Sequence, residues 1–266
     1  MRKKLKDIQN LADTRGVDLQ KVGVKNVEVP LIIQRKNADE QTVRAIARMS
    51  VSLPRDYKGT HMSRFMEILS EWSQRNLLGV DIKGCLEKMT ERLEAQSAEL
   101  KFSFKYFIEK KAPVSESVCP MGYECSFEGL LDKGKYTFIL GVEVPVTTLC
   151  PCSKEISDYG AHNQRAVVKT RISYDEKEII WLEDLIELIE SCGSSPIYPL
   201  LKREDEKYVT EKAYENPKFV EDMIRDIVLK LRSNKKITWF EVDCEAFESI
   251  HNHSAWAYQT EGSFEV

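Results

Sequence analysis

Two features that would indicate a membrane or nucleic-acid protein are missing from this sequence. No stretch approaches about 20 consecutive apolar residues, the length that a membrane-spanning helix needs. The charge is nearly balanced, with 39 Lys and Arg against 43 Asp and Glu, which gives a net charge of −4. Proteins that coat DNA or an anionic membrane usually carry a strongly basic domain or stripe. We therefore expect neither a nucleic acid nor a membrane as partner, while a local cluster could still bind an anionic ligand.

We also expect neither an export signal nor a disulfide framework. Residues 1–7 turn polar again before an apolar signal segment could form. The seven cysteines are an odd number, which favours reduced thiols in a chain without a signal, so the expected location is the cytoplasm. Only four histidines are candidates for imidazole chemistry, and they are His61, His162, His251 and His253.

What remains is an ordinary globular composition. The chain has 266 residues, of which 42% are hydrophobic. This length corresponds to one or two domains and is enough to bury a substantial core without disulfides or metals. The composition therefore excludes a disordered, collagen-like or miniature scaffold.

Hydrophobic periodicity divides the chain into two similar halves after a polar N-terminal arm, residues 1–20. In the first half it predicts two strands, two helices and two strands, at 22–33, 41–53, 62–72, 81–100, 102–108 and 125–131. The same order returns in the second half, at 136–144, 166–172, 182–189, 219–231, 237–246 and 254–260. We predict an α+β fold of two ββααββ modules, 21–133 and 134–266, with antiparallel sheets covered by helices on one face. Their unpaired edge strands predict oligomerisation.

The strongest local signal is the long connection 147–165, which a simple hairpin does not need. It contains Cys150 and Cys152, and His162 follows twelve residues after the first thiol. Thiolate and imidazole suit a divalent metal such as Zn, Fe or Mn. The alternative is that the cysteines are small buried residues and the histidine is a hydrogen-bonded turn residue. A CxC pair lacks the second pair of a structural zinc site, so both interpretations stay open.

Two other polar segments could contribute to the same chemistry. The charged run 200–207 offers candidates for a third ligand, although by itself it is more typical of a solvated loop. The segment 245–253 interrupts the last two predicted strands and contains Glu248 and His251. They could carry protons, because imidazole titrates near neutrality and a carboxylate beside a metal can be tuned. Their alternative is an ordinary turn.

A cluster of cationic and hydroxyl groups precedes the first predicted helix. Its members are Lys58, Thr60, His61, Ser63 and Arg64. Free N–H groups and the helix dipole favour an anion such as phosphate at this position. The Walker A spacing is absent. Simple capping by one of the hydroxyls is the alternative, and it is compatible with anion binding.

These motifs in combination resemble one known family. They are KGTHMSRF at 58–65 after Leu53-Pro54, CPCSK at 150–154, YGAHNQR at 159–165 and FVED at 219–222, with DTRG at 13–16 and KVGV at 21–24. In this combination the chain resembles the prokaryotic type IB GTP cyclohydrolase I family over nearly its whole length. The resemblance implies a tunnelling fold of two tandem ββααββ modules. It also implies a homotetramer whose active sites lie near subunit interfaces.

By resemblance, the enzyme converts GTP and water to 7,8-dihydroneopterin triphosphate and formate, at the start of tetrahydrofolate and pterin biosynthesis. The nearest alternative is an archaeal-type GTP cyclohydrolase, which gives dihydroneopterin 2′,3′-cyclic phosphate. Two further alternatives share the fold: a nitrile-reducing deazapurine enzyme with a cysteine nucleophile and NADPH, and a non-catalytic purine-binding protein.

The resemblance also implies a metal site and proton carriers. One divalent metal ion per site, Mn, Fe or Zn, would be bound by Cys150, His162 and Glu206, with Glu204 as the alternative to Glu206. The groups near the metal that would move protons are Cys152, Glu248 and His251.

The remaining implied roles concern the substrate. Glu221 would anchor the purine, because a carboxylate can accept both the N1–H and N2–H of guanine. The triphosphate would be held by Lys58, His61, Ser63 and Arg64, from the same or a neighbouring subunit. Lys154 and Arg165 are weaker candidates for that role.

Overall fold

The computed structural model describes residues 9, 11–37, 39–72, 79–175 and 177–263. Within these ranges the first half contains β1 Leu19–Gln34, β2 Glu40–Leu53, α1 Met62–Trp72, α2 Gly79–Arg92, β3 Ser97–Lys111 and β4 Val118–Asp132. The second half contains β5 Lys135–Leu149, α3 Pro151–Ile156, β6 Asn163–Tyr174, α4 Leu182–Glu190, β7 Ser195–Pro196, α5 Arg203–Glu215, α6 Val220–Ser233, β8 Ile237–Ala246 and β9 Ala255–Gly262. The strands form an antiparallel sheet in the order β1-β2-β3-β4-β5-β6-β8-β9, with β7 beside β5.

The α+β class and the repeated ββααββ order are confirmed. The second half contains three elements that the periodicity did not predict, namely α3, β7 and α5. The described residues divide into two compact units, one with residues up to 104 and 126–138, the other with 105–125 and 139–263. The domain boundary at 133/134 stays a prediction.

In the first unit, β2 and β3 contribute alternate side chains to one buried face. Met49 and Leu100 face each other across the two strands, and both are buried. Helix α1 adds a buried stripe of Phe65, Ile68 and Leu69. Met62 and Met66 of the same helix are exposed, although their spacing continues the apolar pattern of α1.

The predicted end of the second helix is wrong. Helix α2 ends at Arg92 instead of continuing to residue 100. Glu94 has a positive φ of 52°, and the Ala95 N–H donates to the Thr90 carbonyl oxygen at 3.0 Å, which reverses the chain. The residues from Ala98 onward pair with β2 instead. Strand pairing with a distant segment thus overrides the apolar spacing that continued the helical pattern.

In the second unit, the predicted strands and two helices form a second core. Val144 of β5 faces Val168 of β6, and that residue faces Cys244 of β8; all three are buried. Helices α4 and α6 each present a buried apolar stripe, with Leu185 and Ile227 at their centres. Burying such a side chain contributes about 1.5–3 kcal/mol, so the stripes explain why these helices form where the periodicity predicted them.

Helix α5 replaces the solvated loop that the charged run 200–207 had suggested. Its buried residues are Asp205 and Ala213 only, so it has no apolar stripe for periodicity to detect. An ion pair between Lys207 and Glu211, one turn apart, joins two exposed side chains on its surface at 2.6 Å. Such pairs stabilise a helix only weakly. The position of α5 therefore depends on contacts with other segments.

All seven cysteines are free thiols, as their odd number predicted. Burial raises the pKa of Cys244 to about 12 and moves the pKa of the Cys125 thiol in the same direction. Both are therefore inert core residues at neutral pH. In the part of the chain that the structure describes, no helix is both long and apolar enough to cross a membrane.

A close contact at Gly129 gives a test of the first core. An added Cβ would lie 2.4 Å from Ile82 Cγ2 and 2.9 Å from Leu86 Cδ1, because α2 approaches β4 at this glycine. We expect Gly129→Ala to lower the free energy of unfolding by about 1–3 kcal/mol through overpacking. The measurement is the urea midpoint.

Gly160→Ala is the matched control. A Cβ at Gly160 would have no neighbour within 4 Å, and its φ is not in the left-handed region. We expect a change within about 0.5 kcal/mol. Equal midpoints for Gly129→Ala and the natural chain would contradict the packing of α2 on β4.

Candidate active site

Cys150 and His162 are neighbours because β5 and β6 pair as far as the residue just before Cys150 and the residue just after His162. The β5–β6 ladder extends to the pair of Leu149 with Asn163, so the thiol and the imidazole lie just beyond its end. The Cys150 N–H donates to the His162 carbonyl oxygen at 3.1 Å. Strand pairing therefore closes the twelve-residue separation between the two predicted ligands.

The Cys150 side chain caps the short helix α3. Its sulfur accepts a hydrogen bond from the Ser153 N–H at 3.4 Å, and Pro151 occupies the first helical position, where no N–H is needed. The Ser153 hydroxyl in turn accepts from the His162 N–H at 3.1 Å. The cap thus holds the half-buried sulfur and the histidine backbone together, while Cys152 on the same helix is exposed.

Gln164 determines which nitrogen of His162 can bind a ligand. Nδ1 lies 2.9 Å from Gln164 Oε1, and an amide oxygen can only accept, so Nδ1 carries the proton. In the neutral ring Nε2 then keeps a lone pair. The Gln164 amide nitrogen points to Thr148 Oγ1 at 3.2 Å and Glu248 Oε1 at 3.5 Å, both acceptors, which is consistent with this orientation of the amide. This is the arrangement typical of a metal-binding histidine.

Of the two predicted proton carriers after β8, the structure places Glu248 beside His162. Glu248 Oε2 lies 3.9 Å from His162 Nδ1, and each side chain is 15% exposed. His251 lies in the exposed turn between β8 and β9, where its ring stacks on His253 with 5.1 Å between centroids. Within the described residues, no hydrogen bond or ion pair links His251 to the thiol or to His162.

Glu206 lies in the first turn of α5 and is exposed, as is Glu204, whereas Asp205 between them is buried. Among the described residues, no three His, Cys, Asp or Glu side chains are close enough together to hold a metal ion. The structure therefore assembles two of the three predicted ligands and leaves the third on a neighbouring helix.

A cleft of about 340 Å3 lies between α5 and the start of β6, next to His162 in the chain. Gln164 lines one side of it, and Val209 and Thr210 of α5 line the other. Arg165 and Tyr198 are also in its wall. Since residues three and four apart share a helix face, Glu206 lies on the face of α5 that borders this cleft. Glu204, five and six residues before the same pair, lies on another face.

Glu221 is brought to the same region by the chain before α6. The Lys218 N–H donates to the Leu149 carbonyl oxygen at 3.0 Å, so this segment is fixed to the residue before Cys150. Glu221 follows in the first turn of α6 and is exposed. Lys154 of α3 binds the end of α5, where its Nζ donates to the Tyr214 carbonyl oxygen at 2.5 Å. The predicted purine anchor thus lies close in the fold to the predicted metal ligands.

The predicted phosphate cluster belongs to the first unit, at the start of α1. Lys58 and Ser63 are exposed, and His61 and Arg64 are half-buried. Arg64 Nη1 donates to the Arg92 carbonyl oxygen at 2.8 Å, which orients its guanidinium toward the end of α2. The four predicted residues therefore lie at one helix N-terminus, as their sequence spacing required.

Two residues that the structure singles out were not predicted, namely Gln164 beside His162 and the buried Asp205. Gln164 was part of the YGAHNQR motif without an assigned role. Its position two residues after His162 was the available signal, because alternate side chains of an extended segment lie on one face. Asp205 had no such signal, because it looks like its acidic neighbours in the sequence.

The donor set fits a first-row divalent metal ion. A cysteine sulfur and an imidazole nitrogen with its lone pair available are ligands that Zn, Fe and Mn share. The Gln164 carboxamide fixes the histidine ring, and metal-binding histidines commonly have such a hydrogen-bond partner on their other ring nitrogen. Glu206 would complete a three-ligand set.

Comparison with known proteins identifies relatives over nearly the whole chain. The chain is 54% identical over 253 residues to the GTP cyclohydrolase FolE2 of Geotalea uraniireducens, covering 95% of this chain and 92% of that protein. It is 50% identical over 263 residues to the GTP cyclohydrolase FolE2 of Thermosipho africanus, covering 98% and 100% of the two chains.

Solved structures show the fold alone. The uricase of Arthrobacter globiformis matches with a TM-score of 0.56 and 8% identity, covering 93% of this chain and 96% of that one. The R298C urate oxidase of Bacillus sp. TB-90 matches with a TM-score of 0.52 and 9% identity, covering 92% and 100%. The tunnelling fold implied by the sequence motifs is thereby confirmed. The model of the type I GTP cyclohydrolase folE2 family matches residues 5–257, and with the identities above it establishes that the chain belongs to this family.

Proposed function

We propose that the chain is a metal-dependent GTP cyclohydrolase I, which converts GTP and water to 7,8-dihydroneopterin triphosphate and formate in pterin and folate synthesis. Beyond family membership, the observation that carries this proposal is the pairing of Cys150 with a His162 whose Nε2 is available. The reaction opens the imidazole ring of guanine by attack of water at C8 and releases that carbon as formate. Attack at this carbon needs a water molecule that is activated at neutral pH.

We assign the metal to Cys150, His162 and Glu206. When bound, the divalent ion, Mn, Fe or Zn, supplies the Lewis acidity that makes water a nucleophile at neutral pH. Glu206 is favoured over Glu204 because it shares the helix face of Val209 and Thr210 beside the cleft. The protein's part is to hold the ligands, with Gln164 keeping the proton of the imidazole on Nδ1.

Proton transfer is assigned first to Glu248. Its carboxylate is mostly shielded from solvent and lies next to the imidazole, so it can accept a proton from water and return it to a leaving nitrogen. Cys152 and His251 remain candidates for the same work. They are exposed in a single chain, so they would depend on a bound substrate or a second subunit to come close to the reacting atoms.

Glu221 is the proposed purine anchor. Its carboxylate lies in the first turn of α6 and is exposed. Because a carboxylate only accepts hydrogen bonds, it can accept the N1–H and N2–H of guanine side by side. The triphosphate is assigned to Lys58, His61, Ser63 and Arg64, from a neighbouring subunit of a homotetramer with sites near its interfaces. We expect this enzyme in the cytoplasm.

Cys150→Ser tests the metal assignment. Loss of the thiolate removes a ligand, and because the Lewis acid contributes several kcal/mol, we expect formate release to fall at least about 100-fold. The assay measures formate and identifies the pterin product by mass spectrometry, with subunit number determined by light scattering. Cys119→Ser is the matched control and should keep activity, because this thiol lies on β4 without a role in the site. Near-normal formate release by Cys150→Ser would reject the assignment.

Glu221→Gln tests the purine anchor. A glutamine retains one acceptor and loses the charge, so we expect KM for GTP to rise at least about tenfold, equivalent to 1.4 kcal/mol. Inosine triphosphate lacks the N2–H donors, so the natural enzyme should have a higher KM for it than for GTP. The variant should discriminate less between the two nucleotides. Glu187→Gln, an exposed carboxylate on α4, is the control. An unchanged KM and an unchanged preference would argue against the anchor.

Gln164→Leu tests the orientation of His162. The substitution removes the acceptor of the Nδ1 proton, and loss of such a partner typically weakens metal binding by about 10–100-fold. The measurement is competition between the protein and a chelator for Zn2+. Gln164→Glu keeps an acceptor at the same distance and should bind the ion more tightly than the leucine variant. Equal affinity in all three proteins would contradict this role.

A further inference from the structure

Asp205 is a buried carboxylate in an otherwise exposed, charged turn. Its exposed fraction is 0%, whereas Glu204 and Glu206 on either side are exposed. Burial of a charged group is costly unless hydrogen bonds replace its water. The proposed reaction gives Asp205 no part, so its burial requires another explanation.

Four donors saturate the Asp205 carboxylate. Oδ1 accepts the N–H groups of Val114 and Ser115, each at 2.8 Å. Oδ2 accepts the Ser115 hydroxyl at 2.6 Å and the Lys202 N–H at 2.8 Å. Burial alone would raise the pKa of this carboxyl group, but the hydrogen bonds outweigh it and hold the pKa of Asp205 well below its usual range. Asp205 is thus an ionised link between the β3–β4 turn and the start of α5.

The turn on the other side of this link has a defined shape. The Ala112 N–H donates to the Ser117 carbonyl oxygen at 2.9 Å and closes the turn. Glu116 has a φ of 59°, and the Ser115 and Ser117 hydroxyls lie 3.1 Å apart. The N–H groups that Asp205 accepts are therefore presented by an ordered loop.

Helix α5 has few other restraints near its first turn. Besides Asp205, Ala213 is its one buried residue among those described, and it lies two turns away. The Lys154 bond to the Tyr214 carbonyl oxygen holds the opposite end. Glu206 directly follows Asp205, and its N–H donates to the Lys202 carbonyl oxygen at 2.9 Å within the same turn. The place of this turn thus depends chiefly on the Asp205 carboxylate.

We propose that Asp205 is a positioning residue for Glu206. Its bonds to Ser115 and Val114 hold the first turn of α5 so that the Glu206 carboxylate is presented to the metal ion of Cys150 and His162. This inference rests on the proposed function, since it takes Glu206 as the third ligand.

The test is a double-mutant cycle read by metal binding. Co2+ is titrated into the full-length chain after chelator treatment, and affinity and the visible spectrum of the bound ion are recorded for Asp205→Asn, Glu206→Gln and the double variant. We expect each single variant to weaken Co2+ binding by about 10–100-fold. The double variant should bind no more weakly than Glu206→Gln, because a residue acting through another adds nothing once that one is lost. Glu211→Gln, on the same helix outside the link, should bind as the natural chain does.

Ser115→Ala provides a milder change if Asp205→Asn does not fold. It removes one of the four bonds and leaves the carboxylate in place. We expect a smaller loss of Co2+ affinity than for Asp205→Asn, again absent in the Glu206→Gln background, with the melting temperature recorded as a measure of folding.

The outcomes separate the two proposals. If Glu206→Gln weakens Co2+ binding and neither Asp205→Asn nor Ser115→Ala does, the positioning role is overturned and the ligand assignment stands. Additive losses in the double variant also overturn it, because Asp205 then acts independently of Glu206. If Glu206→Gln leaves Co2+ binding unchanged, the ligand assignment fails and the positioning role fails with it.

Discussion

The antiparallel pairing of β5 with β6 is the constraint on which the candidate active site depends. Its ladder runs to Leu149 and Asn163, so the two residues beyond it, Cys150 and His162, are held by a backbone hydrogen bond of 3.1 Å. A ladder of this length has one register that keeps its apolar face buried. A shift by one residue would expose Val144 and Val168 and separate the thiol from the imidazole. Core packing and ligand geometry are therefore fixed by the same interaction.

The end of β5 also determines where the later elements of the second unit lie. Ser194 donates its N–H to the Thr147 carbonyl oxygen at 2.9 Å, and its hydroxyl accepts from the Leu149 N–H at 3.1 Å. The Leu149 carbonyl oxygen accepts from Lys218, just before α6. Backbone groups at a strand end need partners, and satisfying them here places the start of α6, with Glu221, beside Cys150. The hydrogen bonds that satisfy the end of β5 therefore also bring the residues of the site together.

Elements with an apolar face can be predicted from periodicity, whereas elements held by polar contacts cannot. Strands and helices with one buried face were predicted in the right order, because burial imposes a period of two or of 3.6 residues. Their ends were less well predicted, and β4 begins at Val118, well before the predicted residue 125. Helix α5 was missed because Asp205 and Ala213 are its buried residues, so its fixation comes from a carboxylate bonded to the distant Ser115. The end of α2 was misplaced because pairing of Ala98 with β2 overrode local spacing.

The sequence by itself determined the chemistry available to this protein: the donor types and spacing of Cys150, Cys152 and His162, the family motifs and the repeated order of elements. Only the tertiary structure decided which nitrogen of His162 is available, through Gln164. It also placed Glu248 beside the imidazole, left His251 exposed, and buried one of three consecutive acidic residues. Residue types and local periods are properties of short segments, whereas side-chain partners depend on strand register and on contacts between residues far apart in the chain.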